Sequence, residues 1–147
     1  MNDDFLNSVL ERVLELKSFE KKTVFSISTT AKQEQSPYLT PVRVSKDFVL
    51  GGCVIFDQEH LFNLLKNIDG AVDIILTDSE KMIPIDVKSL NSGVIDPSNQ
   101  LGEARISNIC FQAIKKSHVF EFKPNDLTVN SAWSFLSQQL NYLDGKK

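Results

Sequence analysis

The stretch from Ala71 to Lys88 constrains the fold more than any other. Two runs with apolar residues at every second position, 71–77 and 82–88, flank the polar turn Asp78-Ser79-Glu80-Lys81. A period of two is the pattern of a half-buried strand, and a short polar turn between two such runs predicts an antiparallel hairpin. With the turn at 78–81, Leu76 opposes Ile83, Ile74 opposes Ile85 and Val72 opposes Val87, so these apolar side chains share the face that must meet a core. The other face sets Asp73 against Asp86, with Lys88 following two residues on. Directly opposed residues hold their Cβ atoms about 4.5–5.5 Å apart, and two carboxylates so placed repel by several tenths of a kcal/mol at least. A divalent cation, the ammonium of Lys88 or a shared proton would offset that repulsion.

Around this hairpin the pattern predicts alternating helices and strands. Residues 3–17 read as an amphipathic helix burying Phe5, Leu6, Val9, Leu10, Val13 and Leu14, with Asn2 or Asp3 as its cap. Residues 23–28 read as a strand with one wet face, and Pro41 to Val44 as a short edge strand. The polar stretch 29–39 between them reads as a long mobile loop. Phe48 to Phe56 is apolar on both alternating faces and predicts a central strand, with Gly51-Gly52 marking a bulge or a close backbone approach. Asp57 caps a helix running to about Asn67 with Leu61, Leu64, Leu65 and Ile68 buried. Beyond the hairpin come a loop (91–99), a helix (about 100–116), a strand (118–122) and a last helix (about 128–143) that buries Trp133 and Leu136. The expected fold is α/β, a mixed β-sheet of about six strands flanked by four α-helices, in a single domain over 1–147 with a frayed tail at 144–147.

Composition narrows the function classes. At 147 residues, 41% hydrophobic and 24% charged, the chain has ordinary globular usage and can bury a core without disulfide or metal staples. A net charge of -3 argues against a protein that coats nucleic acid through a dense cationic surface. Cys53 and Cys110 sit far apart inside apolar runs and read as buried free thiols, and with His60 and His118 they make no zinc spacing. The acidic start, Met1-Asn2-Asp3-Asp4, lacks the basic and apolar pattern of a signal peptide, and no apolar run reaches membrane-spanning length, so the expectation is a cytoplasmic protein with no membrane association.

Asp73 followed by Ile85-Asp86-Val87-Lys88 on the next strand resembles the core of the PD-(D/E)xK metal-dependent nucleases. The resemblance spans residues 71–90. It implies that Asp73 and Asp86 bind Mg²⁺ and that Lys88 is a catalytic residue that orients or deprotonates the attacking water, giving in-line phosphodiester hydrolysis with nucleic acid as the partner. Val72 stands where the family has proline, the helix at 57–67 intervenes before the first aspartate, and Glu11, Glu15 and Glu59 compete for the family's helical glutamate. The plain structural reading is that Asp-x-Lys lies on the wet face of a surface hairpin.

Two other readings compete with the nuclease one. The first is an acidic, non-enzymatic homodimer of chaperone or adaptor type that holds a protein partner, its opening order of elements being similar to secretion-chaperone-like folds. Phe111 and Phe135, off their helices' main stripes, are its candidate contact surface. The second is a small-molecule or cofactor-handling α/β protein with a pocket at strand ends. The cluster Ser98, Asn99, Gln100, Gly102, Glu103 and Arg105 reads as a helix cap or a site lining, with capping preferred.

Overall fold

Five consecutive buried residues, Ile74–Asp78, cannot lie on an edge or on a wet surface, and they set the architecture. The computed structural model describes residues 3–30, 36–84, 103–123 and 136–140. In chain order it contains α1 (Asp3–Ser18), β1 (Lys22–Ser28), β2 (Tyr38–Val44), β3 (Phe48–Val54), α2 (Gln58–Ile68), β4 (Ile74–Asp78), β5 (Met82–Pro84), β6 (Glu103–Arg105), α3 (Ile106–Ala113), β7 (His118–Phe122) and the helical residues 136–140, called α4. The main sheet has the order β2-β3-β1-β4-β7. Its strands β3, β1, β4 and β7 are mutually parallel, and β2 pairs antiparallel to β3. The expected mixed α/β architecture is therefore present, as a sheet of five strands with a separate pair, β5-β6, beside it.

Both faces of the sheet are covered. Phe25, Ile27, Val49, Cys53 and Ile75 point to one side and pack with Val9, Val13 and Leu16 of α1, Leu61, Leu64 and Leu65 of α2, and Ile106, Ile109 and Cys110 of α3. Val24, Phe48, Ile74 and Leu76 point to the other side and meet Leu136 and Leu140 of α4. Parallel strands buried on both faces read as continuous apolar runs rather than as alternation. The helix at 58–68 begins where the sequence places it: Asp57 accepts the His60 backbone N–H at 2.8 Å.

The hairpin expected between 71–77 and 82–88 is not formed. β4 is hydrogen-bonded on both edges, to β1 and to β7, so no edge remains for the following segment. Leu76 pairs with Ser26 and Phe120, while Ile83 pairs with Ala104 in the antiparallel β5-β6 ribbon. The physical reason is visible in the run itself. Ile75 occupies the face assigned to water, and Ile74-Ile75-Leu76 is the signature of a strand covered on both sides.

Three other expectations change. β1 is the central strand of the sheet, not one with a wet face: Val24, Phe25 and Ile27 are fully buried between β3 and β4. The helix expected from about 100 starts at Ile106, because Glu103–Arg105 alternate exposed, buried, exposed and are drawn into the ribbon with β5. On α1, Phe5, Val9, Val13 and Leu16 are buried, whereas Leu10 and Leu14 are exposed. Gly51-Gly52 marks a close approach and no bulge in its own strand: a Cβ on Gly52 would lie 2.4 Å from Ser26 Oγ and 2.6 Å from the Ser26 carbonyl oxygen. The irregularity lies opposite, in β2 between Thr40 and Arg43.

Candidate functional site

Of the sequence-predicted site residues, Asp73 alone is among the described residues. Asp73 is exposed and sits just before β4, at the amino edge of the parallel strands. Its Oδ2 accepts the Thr23 backbone N–H at 2.9 Å and the Thr23 hydroxyl at 3.0 Å, and its own N–H donates to Thr23 Oγ1 at 2.9 Å. Its carbonyl oxygen accepts the His118 N–H at 3.0 Å. Asp73 thus ties the start of β4 to β1 and β7. Asp86 and Lys88 lie outside the described residues, and Ile83, which the expected register set against Leu76, pairs with Ala104 instead. Among the described residues no group of three or more His, Cys, Asp or Glu side chains is arranged to hold a metal ion.

The chemistry-bearing residues that the fold does bring together are at the other, carboxyl edge. In open α/β sheets ligands bind outside the carboxyl ends of the strands, where neighbouring connections depart in opposite directions. Here β1 and β4 are neighbours; the chain leaves β1 toward β3 and leaves β4 toward β7. At that point Ser28 Oγ donates to Asp78 Oδ2 at 3.4 Å, and Asp78 Oδ1 accepts the Glu80 N–H at 2.9 Å. Asp78 is only 1% exposed, a carboxylate held inside the end of the sheet. The next residue, Ser79, donates its N–H to the Phe122 carbonyl at 2.9 Å and locks β4 to β7 at their ends.

A cleft of about 470 Å³ opens beside these ends. Ser79 and Glu80 line it from the end of β4, Arg105 and Asn108 from the start of α3, and Glu121 and Lys123 from β7 and the residue just beyond it. Met82 supplies an apolar wall. Glu121 alternates with Phe120 and Phe122, which pack on the α4 side, so it faces the α3 side. The cleft therefore presents two carboxylates and two cations to one small volume. It can hold a polar ligand by charge and hydrogen bonding, and lacks the dense positive field that nucleic acid requires. The N-terminus of α3 lends little to it: Arg105 makes no side-chain cap, the Ile106 N–H is taken by the Lys81 carbonyl at 3.0 Å, and Ser107 is buried.

A second group sits at the end of β3. His60 Nδ1 lies 2.5 Å from Asp57 Oδ2, and the ring stands edge-on to Phe5 with centroids 5.7 Å apart. The expectation of a surface or satisfied histidine is met at Nδ1 only, because Nε2 is buried with no hydrogen-bond partner among the described residues. Cys53 and Cys110 are buried and free, as expected. Burial pushes the Cys110 thiol up to about 12 and Cys53 upward as well, so neither is a nucleophile in the folded chain.

The sequence reading did not single out Asp78, Ser79, Glu121 and Lys123; it gave Arg105 as a helix cap or a site lining, and Arg105 stands at the N-cap position of α3, without a side-chain cap bond, and also lines the cleft. The available signal was the polarity of run ends: Ile27-Ser28-Thr29 and Leu76-Thr77-Asp78-Ser79 each pass from apolar to small polar residues where a parallel strand stops. Phe111 is 49% exposed, in line with its position off the α3 stripe, and Phe135 is outside the described residues. No helix among the described residues is long and apolar enough to cross a membrane. No family model matches the chain, and comparisons with curated proteins and with solved structures find no match either.

Proposed function

We propose that this chain is a small-molecule-handling α/β protein that holds a polar ligand at the carboxyl ends of β4 and β7. One observation carries the reading: the cleft beside Ser79, Arg105, Glu121 and Lys123 lies at the carboxyl edge of the parallel sheet, beside the ends of β4 and β7. Its volume falls within the range of small-molecule sites, and its charged lining selects a ligand with both anionic and hydrogen-donating groups. Arg105 and Lys123 would take the anionic end, and Glu121 the donor end.

A thermal-shift screen of nucleotides, sugar phosphates and amino acids tests this. At a hundredfold excess over Kd a ligand adds about 2.7 kcal/mol, which should raise the midpoint by about 5 °C or more. The Arg105→Ala/Lys123→Ala double variant, altered only at exposed positions, should keep its own midpoint and lose the shift. No stabilisation by any of the three classes, or a shift that the double variant retains, would count against the reading.

A further inference from the structure

The backbone donors around the cleft are spent inside the fold. The Ser79 N–H goes to the Phe122 carbonyl, the Glu80 N–H to Asp78 Oδ1 and the Ile106 N–H to the Lys81 carbonyl. Phosphate groups are commonly cradled by free N–H groups at a helix start or in a loop, whereas an anion in this cleft has to be met by side chains. Those side chains are balanced in charge, Arg105 and Lys123 against Glu80 and Glu121. A phosphate dianion would face both carboxylates as well as both cations. A ligand with one charge of each sign satisfies both. Among the described residues Arg105, Glu121 and Lys123 form no ion pair and no side-chain hydrogen bond. Opposite charges that line one small volume without neutralising one another keep their binding capacity for a ligand.

The β5-β6 ribbon adds an apolar contact beside the cationic one. Met82 and Arg105 are directly opposed in its register, on the face away from the buried Ile83 and Ala104. Residues so opposed hold their Cβ atoms about 4.5–5.5 Å apart. A carboxylate bound to the planar guanidinium of Arg105 therefore has the Met82 side chain next to it. We infer that the cleft takes a free α-amino acid with an apolar side chain, its carboxylate on Arg105 and Lys123, its ammonium on Glu121 and its side chain against Met82. The inference rests on the cleft reading above and narrows it to one ligand class.

Titration calorimetry with leucine, with isocaproate (leucine without its amino group), with glucose phosphate and with adenosine monophosphate tests it. The wild type should bind leucine at least about tenfold more tightly than isocaproate, the lower part of what a hydrogen bond between charged groups contributes. Glu121→Gln should bring leucine down to about the affinity of isocaproate and leave isocaproate unchanged, a split that a merely structural effect would not produce. Arg105→Ala should weaken both by a similar factor. A Glu121→Gln variant that weakens both ligands alike, or that binds leucine as the wild type does, would overturn the assignment. Binding of either phosphate compound but not of leucine, lost in Arg105→Ala/Lys123→Ala, would overturn the amino-acid assignment and leave the cleft reading standing. No binding of any of the four would overturn both.

Discussion

Asp73 shows how much a residue's role depends on its strand partner. Opposite Asp86 it would be half of a repulsive pair; against Thr23 it is a sheet clamp that accepts two hydrogen bonds in one carboxylate oxygen. Asp73→Ala should therefore destabilise the chain by about 1–2 kcal/mol, the lower part of what hydrogen bonds to a charged acceptor contribute because the carboxylate is exposed, read as a lower denaturant midpoint at unchanged slope. Metal ligation at Asp73 would give a different signature, stabilisation of the wild type by Mg²⁺ that the variant lacks. Asp69 supports a pH prediction. Burial works against its charge, but the N–H groups of Lys115, Ser117 and Lys116, with the Lys116 ammonium, outweigh that and hold its carboxyl below the usual aspartate value. A depressed folded-state value means a contribution that is present above the unfolded-state pKa and lost as pH falls through the folded one. Asp69→Asn should be less stable than wild type at pH 7, by roughly 1 kcal/mol given the group's exposure. The gap should narrow as pH drops below about 4, as urea melts at successive pH values would show.

Among the elements, what was legible depended on local pattern. α2 was readable in full because Asp57 caps it and its leucines repeat at helical spacing. β3 and β7 were readable from apolar runs that tertiary pairing did not alter. The hairpin was not, because period two fixes which residues share a face but not which neighbour a strand takes, and β4 took β1 and β7. α1 was right in extent and wrong in which leucines it buries, because the apolar arc is broader than the sheet and α2 cover. Gly52 offers a test at this scale. Because its Cβ would meet the Ser26 backbone, which cannot move without breaking the pairing of β1, Gly52→Ala should cost about 2–3 kcal/mol, whereas overpacking against a flexible side chain costs less. A loss under about 0.5 kcal/mol in chemical denaturation would show that β1 and β3 yield more easily than their register implies.

In the whole molecule, the layered parallel sheet explains why the carboxyl edge was not legible in the sequence. A carboxylate pair was sought on adjacent strands, and Asp73 drew attention to the amino end. A sheet whose central strands are parallel gathers its loops, and the polar residues that begin them, at the carboxyl end. Ser28, Asp78, Ser79, Arg105 and Lys123 are scattered over nearly a hundred positions and converge only once the order β2-β3-β1-β4-β7 is known. No local motif could have announced them. The most direct test is a ¹H–¹⁵N correlation spectrum recorded while nucleotides, sugar phosphates and amino acids are added in turn. The cleft proposal predicts saturable shifts concentrated at the amides of Ser79, Glu80, Asn108 and Lys123. Shifts gathered instead around Thr23 and Asp73, or no saturable shift with any of the three, would contradict it.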